Sequence, residues 1–211
     1  MAKEVATPIE PRLEDFAGGG LGPNARRLFL ATRPKFLTAS VLPVMVGTAW
    51  GYAVAGRIDW IVALLALLAT ALVHAASNVI NDVGDDETGG DPVNVERIYP
   101  YTGGSRFIQN SIMSRQEMNR LGWTLIALAT ALGVVLAVLK GPLVLLFGLA
   151  GICIGVLYSV SALRLSARGI GEACITIAFG LLPVCGAAWL QSGVLDWASM
   201  LVALPVGLWV T

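Results

Sequence analysis

The chain has 211 residues, of which 56% are hydrophobic and 13% are charged, and its mean hydropathy is +0.74. Soluble domains carry about 25% charged residues, so this composition excludes an ordinary soluble protein and predicts an integral membrane protein. The formal net charge is zero and no basic run is present, which argues against nucleic acid as a partner. The three cysteines lie in apolar runs without metal-site spacing, and we expect small buried residues, not a disulfide framework.

The N-terminal part of the chain differs from the rest. Residues 1–25 mix proline, glycine and charged residues without a continuous apolar core, and we predict a flexible cytosolic tail. Residues 26–211 are predicted to form a transmembrane domain. Its first span covers residues 36–55 behind a basic lead-in, and its second covers residues 60–80, about the ~20 residues that cross a bilayer core.

Further apolar runs follow a long polar connection. Residues 121–139, 143–163 and 173–190 are predicted as spans three to five. A last run from residue 197 to the final residue has about fifteen residues, or roughly 22 Å, and is short for the ~30 Å core. The fold class predicted is therefore an all-α transmembrane helical bundle with five complete spans and part of a sixth. Residues 82–120 form an unusually long loop between spans two and three, which favours a functional role.

Lysine and arginine residues lie almost entirely on one side of these predicted spans. Twelve of the fourteen belong to the N-terminal segment, the long loop or the loop after span four. Arg57 and Lys140 are the two on the opposite side. The positive-inside rule therefore predicts that the N terminus and the long loop are cytoplasmic.

Polar and acidic residues are concentrated where the second span ends. Six of the fourteen acidic residues lie within fifteen positions there. If the second helix continues into this segment, Asn78, Asp82 and Asp86 share one face, because side chains four residues apart overlie one another. Carboxylate and amide oxygens are ligands for hard cations, and such a face suits Mg²⁺ held together with substrate phosphates.

Basic residues on the same side of the membrane complement these acids. A diphosphate approaches carboxylates only when a divalent cation bridges them, and arginines can neutralise the remaining phosphate charge and stabilise a leaving group. The apolar spans can receive a hydrocarbon chain. This combination predicts ionisation of an allylic diphosphate whose tail stays in the bilayer.

Several short motifs occur together along the chain. They are NxxxDxxxD within NxxNDxxDxxxGxD, an Arg-Pro pair, TGGSR, and LYS…LRLSARGIGE, at residues 78–91, 33–34, 102–106 and 157–172. Together they resemble the UbiA superfamily of intramembrane aromatic prenyltransferases. The resemblance is strongest to the branch that prenylates 1,4-dihydroxy-2-naphthoate in menaquinone synthesis.

The resemblance implies roles for individual residues. The implied Mg²⁺ ligands are Asn78, Asp82 and Asp86, with Asp85 and Asp91 supporting diphosphate binding. Binding of the diphosphate or of the acceptor's carboxylate is implied for Arg33, Arg106 and Arg164. Tyr158 and Ser159 would line the cavity near the allylic cation, so the candidate catalytic residues are Asp82, Asp86 and Tyr158. The electron-rich ring would attack this cation, with loss of the carboxylate in the naphthoate branch.

The same resemblance implies a larger architecture. The family has nine spans and a second aspartate-rich motif after the sixth, facing the first across a central cavity. We therefore expect the chain to be part of a longer protein or a short homologue, and we expect the 211-residue chain alone to show no turnover. The implied substrates are a polyprenyl diphosphate and an aromatic acceptor, with Mg²⁺ as cofactor, for an enzyme of quinone biosynthesis in the bacterial inner membrane.

Other interpretations stay open. The acidic segment could be a solvated helix cap, Arg33 and Arg164 could be positive-inside anchors, Tyr158 could belong to an aromatic belt, and His74 could join two helices. The acceptor could be 4-hydroxybenzoate, homogentisate or a tetrapyrrole. A cation transporter or a non-catalytic membrane subunit would be a different class, although a transporter is expected to carry ionisable groups at mid-span, where His74 is the one available.

Overall fold

The computed structural model describes residues 10–18, 20–89, 98–159 and 169–210, apart from the side chain of Ser159. All regular structure in these ranges is helical. The helices are α1 (Leu21–Ala31), α2 (Thr38–Ala55), α3 (Trp60–Glu87), α4 (Arg115–Lys140), α5 (Leu143–Ser159), α6 (Gly171–Ser192) and α7 (Trp197–Val210). The predicted all-α bundle is confirmed.

Four helices, α2 with its lead-in, α3, α4 and α6, are long and apolar enough to cross a membrane, and α5 and α7 are shorter apolar helices. Large apolar side chains point outward from the bundle, for example Trp60 at 68% and Val138 at 82% exposure. An apolar exterior of this extent is expected of a surface that faces lipid. The prediction of an integral membrane protein is therefore supported by both length and surface chemistry.

Helix α3 is longer than the span predicted for residues 60–80. It continues to Glu87, so its 28 residues extend about 42 Å, beyond the ~30 Å hydrocarbon core. Asp59 begins the helix by accepting a hydrogen bond from the Val62 N–H at 3.2 Å. The extra turns carry the acidic residues on a continuous helix to the edge of the membrane.

Helix α4 also begins earlier than predicted, at Arg115 and not at residue 121. Ser114 and Glu117 form a capping box there, in which the Ser114 hydroxyl accepts from the Glu117 N–H and the carboxylate accepts from the Ser114 N–H. The connection between α3 and α4 is therefore residues 88–114, shorter than the predicted 82–120.

The second half of the predicted flexible tail is folded. Residues Leu13–Phe16 form a 3₁₀ turn, and α1 follows from Leu21. The ring of Phe16 lies 5.5 Å from that of Phe107, and the Arg26 guanidinium lies 5.4 Å above the Phe16 ring. The aromatic contact therefore holds this segment against the α3–α4 connection, and the cation–π contact holds it against α1.

Helices α2 and α6 approach each other through two glycines of α2. A Cβ atom on Gly47 would overlap the Val184 carbonyl oxygen, and one on Gly51 would lie 2.7 Å from the Ala188 carbonyl oxygen. Small residues four positions apart allow such close contact between membrane helices.

A π turn interrupts α6 at Ile177–Leu181, directly before Pro183. Proline cannot donate a backbone hydrogen bond, and its ring collides with the preceding helical turn. The wider π turn accommodates Pro183, as π-bulges in helices commonly do. The sequence predicts a kink at this proline.

The end of the bundle opposite the acidic residues is tied together by polar contacts. Lys140 Nζ lies 2.9 Å from Asp59 Oδ2, and the Asp59 N–H donates to Gln191 Oε1 at 2.7 Å. The α2–α3 turn, the end of α4 and the end of α6 therefore meet at one end of the molecule. The two basic residues assigned to the far side, Arg57 and Lys140, belong to this end.

Candidate active site

Asp82 lies between three segments that carry sequence motifs. Its side chain is on the last turns of α3 and is only 3% exposed. The Ser105 N–H, from the TGGSR segment, donates to Oδ2 at 3.0 Å, and Arg33 NH1, from the Arg-Pro pair, lies 3.9 Å from Oδ1. A buried carboxylate needs both a hydrogen bond and an opposite charge, and Asp82 has both.

Arg33 is held beside Asp82 in an unusual conformation. Its backbone is left-handed, with φ of 56°, and its guanidinium lies 4.6 Å above the Phe36 ring. The side chain is 16% exposed and makes no hydrogen bond to any residue in the part of the chain that the structure describes. Largely buried donors usually have acceptors, so an anion with several oxygens would complete the surroundings of Arg33.

Arg106 is the second arginine with a left-handed backbone, with φ of 65°. Its side chain is 7% exposed, and Nε lies 3.9 Å from Oε2 of Glu10 in the folded N-terminal segment. A left-handed conformation costs a non-glycine residue roughly 1–3 kcal/mol, and such strain is concentrated at functional sites. Both strained arginines belong to predicted binding motifs.

Asp86 shares a face of α3 with Asn78 and Asp82, as the spacing predicts, but both of its oxygens contact protein groups. Gln109 Nε2 donates to Oδ1 at 3.1 Å, and Arg115 Nε donates to Oδ2 at 2.9 Å. Asp86 therefore joins α3 to the start of α4 in this structure.

Asn78 connects the acidic end of α3 to an internal cavity. Its Nδ2 donates to the Thr32 carbonyl at 3.0 Å, one residue before Arg33. The cavity, about 180 Å³ in volume, is lined by Asn78 together with Ser77, Asn81 and Tyr158. Ser77 and Asn81 are additional candidate residues, and the helical spacing of positions 74, 77, 78 and 81 would have indicated their shared face.

A second cavity adjoins this polar one further along α3. It has a volume of about 380 Å³, and it shares the lining residues Thr70, Val73, Gly151 and Ala178 with the polar cavity. Its remaining lining is almost wholly apolar and reaches Leu190 near the opposite end of the bundle. From Asp82 toward the start of α3, the helix therefore carries first acidic residues, then polar residues that line the polar cavity, and then residues that line the apolar cavity.

The donor atoms near Asp82 suit a cation that arrives with phosphate. In residues 10–18, 20–89, 98–159 and 169–210, no three His, Cys, Asp or Glu side chains converge as a metal site. Mg²⁺ commonly takes one or two protein carboxylates and completes its shell with phosphate oxygens and water. Asp82 with the Asn78 amide oxygen fits that requirement.

Comparison with known proteins identifies the family. Residues 40–211 match the UbiA prenyltransferase family. The chain belongs to this family. Helix α3 with its acidic end, the two cavities and α4 to α7 all lie within the matched region.

The similar proteins include several that are named for naphthoate chemistry. The 1,4-dihydroxy-2-naphthoate octaprenyltransferases of Escherichia coli (strain K12) and Haemophilus influenzae are 31% and 32% identical over 85% and 83% of this chain. A 2-carboxy-1,4-naphthoquinone phytyltransferase of Synechocystis is 28% identical over 88% of it. In each case the chain covers 58% of the relative's length.

The structure brings together most, but not all, of the UbiA-type motif residues. Tyr158 reaches the polar cavity because Gly155, one turn earlier on α5, lies against Ser77, where any Cβ would collide with the Ser77 hydroxyl. Asp85 is partly buried on α3 between Asp82 and Asp86. Three predicted site positions lie outside the described residues: Asp91, Arg164 and the side chain of Ser159.

Tyr99 is a candidate residue that no sequence motif indicated. Burial, with the Glu10 carboxylate as the second cause, raises the pKa of its phenol. The phenol therefore remains protonated at neutral pH and can donate a hydrogen bond. The charges of Arg33 and Asp82 also act on this phenol, so Tyr99 lies within the electrostatic surroundings of these two residues.

Proposed function

We propose that the protein transfers a polyprenyl group from an allylic diphosphate to an aromatic acceptor, 1,4-dihydroxy-2-naphthoate, in quinone biosynthesis. One observation carries this proposal: the Arg33 guanidinium is fixed beside the buried Asp82 without a hydrogen-bond acceptor among the described residues. The names of the similar proteins support the acceptor and the reaction.

The basic residues would bind the diphosphate. Arg33 offers donors that need oxygen acceptors, and Arg106 is a second largely buried guanidinium in the adjacent segment. Arginine binds phosphate through two parallel hydrogen bonds, and it stabilises the charge that develops as the diphosphate departs. The electron pair of the breaking C–O bond leaves with the diphosphate.

The acidic residues would hold the cation that accompanies the diphosphate. Asp82 and Asn78 are the proposed ligands, and Asp86 is the third residue of the motif. Bound Mg²⁺ supplies positive charge that offsets the charge of the diphosphate. The Ser105 N–H and Arg33 contact the Asp82 carboxylate and orient it.

Each of the two cavities would hold a different organic part of the substrates. The apolar cavity would take the prenyl chain, because its walls offer almost no hydrogen-bonding groups and exclude water from a reactive cation. The polar cavity, with Asn78, Asn81 and Tyr158, would orient the aromatic ring. The ring carbon then bonds to the allylic carbon, and the ring releases its carboxyl group as carbon dioxide.

The proposed orientation places the site at the cytoplasmic face of the bacterial inner membrane. Lys140 and Arg57 lie at the far end of the bundle, where Lys140 pairs with Asp59. The predicted topology assigns the other twelve basic residues to segments on the side of the acidic motif. This distribution supports a cytoplasmic site under the positive-inside rule.

Membranes that contain the complete gene product can test the proposal. Labelled allylic diphosphate and 1,4-dihydroxy-2-naphthoate should yield a prenylated naphthalene product only when Mg²⁺ is present. Transfer to 4-hydroxybenzoate or homogentisate in its place would overturn the acceptor while retaining the reaction class. Cation flux in proteoliposomes without any release of diphosphate would overturn the proposal that the protein is an enzyme.

A further inference from the structure

His74 lies eight residues before Asp82 on α3, and the proposed function gives it no role. The residue is 8% exposed and lines the polar cavity. Its ring meets that of Phe179 on α6 in an edge-to-face contact, with 4.7 Å between centroids. The ring is thus fixed between helices, with part of it facing the space where the aromatic acceptor is proposed to bind.

Ser40 favours one of the two neutral tautomers of His74. The Ser40 hydroxyl donates its single hydrogen to the Leu37 carbonyl at 2.9 Å. The same oxygen lies 3.0 Å from His74 Nδ1. With its hydrogen on the Leu37 carbonyl, the hydroxyl offers Nδ1 an acceptor. A charged ring would be costly here without a paired anion, so the ring is neutral. The contact with Ser40 favours the tautomer in which Nδ1 carries the proton. Nε2 then carries a lone pair and can only accept a hydrogen bond.

Nε2 is available to a molecule in the polar cavity. It makes no hydrogen bond to the residues described in the structure, and it is not one of the polar side-chain atoms sealed inside the protein. The neighbouring Ser77 hydroxyl donates to the Val73 carbonyl at 2.9 Å and so does not serve Nε2. An accessible acceptor in the lining of the cavity, with no donor among the described residues, can accept a hydrogen bond from a bound molecule.

We propose that His74 Nε2 accepts a hydrogen bond from a hydroxyl group of the aromatic acceptor and so selects hydroxylated rings. This inference rests on the proposed prenyl transfer and adds a specificity residue to it. A hydroxyl whose hydrogen is shared with a base releases more electron density into its ring, which favours attack on an allylic cation. Ser40 acts as a positioning residue, because it holds the ring in the accepting tautomer.

Two substitutions of His74 separate the roles of the two nitrogens. His74→Asn places an amide nitrogen near the position of Nδ1, so it keeps a donor for Ser40 and loses the acceptor at Nε2. His74→Gln is longer and places its amide near the position of Nε2. The probes are 4-hydroxy-2-naphthoate and 2-naphthoate, which differ by one hydroxyl. Their dissociation constants are measured by equilibrium dialysis with the complete gene product in nanodiscs.

In the wild type, the hydroxylated probe should bind about tenfold more tightly than 2-naphthoate, as expected for one buried hydrogen bond. His74→Asn should reduce this ratio to about one and leave the affinity for 2-naphthoate unchanged, whereas His74→Gln should keep most of the ratio. Ser40→Ala should lower the ratio with His74 still present. If His74→Asn fails to fold, the affinity ratios of His74→Gln and Ser40→Ala are compared. A ratio kept in His74→Gln and lowered in Ser40→Ala supports the assignment, and a wild-type ratio in Ser40→Ala contradicts it.

An equal ratio in the wild type and in His74→Asn would overturn the assignment of His74. A wild-type ratio of one, with both probes bound, would overturn it as well and would leave the proposed naphthoate acceptor intact. If the wild type bound neither probe, the naphthoate acceptor itself would fail, so the two failures are distinguishable.

Discussion

Asp82 shows how one buried residue connects motifs that are distant in sequence. The Ser105 N–H and the Arg33 guanidinium both converge on its carboxylate. Helical spacing predicts that Asn78, Asp82 and Asp86 share a face, and α3 has that register. Spacing does not predict the partners of these acids. Ser105 and Gln109 lie in the irregular connection and Arg33 lies just before Pro34, where no periodic pattern exists, and Arg115 is at the start of a different helix.

The pairing of Asp82 leads to a stability prediction. Asp82→Ala leaves the Arg33 charge and the Ser105 N–H without their partner, and removal of one member of a buried pair costs up to about 3–5 kcal/mol. Asp82→Asn keeps an acceptor for the Ser105 N–H and should cost clearly less. Thermal unfolding in detergent can measure both variants. Glu87→Gln, an exposed acid on the same helix, should unfold like the wild type.

Arg33 leads to a binding prediction. Because its donors have no acceptor among the described residues, Arg33→Gln should weaken binding of an allylic diphosphate by about tenfold to a hundredfold. Arg33→Lys should recover part of this affinity, since it retains the charge and loses the two-pronged geometry. The exposed Arg120 provides the control: an Arg120→Gln variant with the same loss would show that Arg33 acts through general surface charge.

At the scale of elements, close contacts between helices set the shape of the cavities. Gly47 and Gly51 bring α2 against α6, Gly155 brings α5 against α3, and the π turn accommodates Pro183 within α6. The helices themselves follow from apolar runs of sufficient length. The glycine contacts depend on which helices become neighbours, and a single sequence does not show that pairing.

Gly47 tests this packing. Gly47→Ala places a methyl group where the Val184 carbonyl oxygen lies, and neither backbone can move without separating α2 from α6. We expect a loss of about 1–3 kcal/mol in unfolding free energy, measured by denaturation in mixed detergent micelles. Gly148→Ala is the matched control, because a Cβ there meets nothing within 4 Å. Equal stability of the two variants would contradict the close α2–α6 contact.

At the scale of the molecule, the two ends of the bundle have different chemistry. One end carries the acidic motif, two strained arginines and the folded N-terminal segment, and the other carries the Asp59–Lys140–Gln191 cluster. The count of basic residues in the sequence predicts which connections between helices lie at each end of the bundle. The sequence did not predict that residues 10–16 fold onto the α3–α4 connection, because proline and glycine content alone indicated a flexible tail.

Asp59 leads to a prediction about pH. The hydrogen bond from Lys140, followed by that from the Val62 N–H, holds the pKa of Asp59 below its usual value. A carboxylate with a lowered pKa stabilises the fold at pH values above its unfolded-state pKa of about 3.9. This stabilisation is lost as the pH falls through the folded-state pKa. The melting temperature of the wild type should therefore exceed that of Asp59→Asn at pH 7, by the equivalent of about 0–1 kcal/mol. The difference should vanish in strong acid, and a difference that grows with acidity would contradict the pairing.

We propose that the acidic end of α3 binds a diphosphate through Mg²⁺. Isothermal titration calorimetry of the complete gene product with an unreactive allylic thiolodiphosphate measures this directly. We expect Mg²⁺ to tighten binding by about tenfold or more in the wild type and in Glu87→Gln, and to have no effect in Asp82→Asn. Equal Mg²⁺ dependence in the wild type and in Asp82→Asn, or binding that does not depend on Mg²⁺ at all, would contradict the claim.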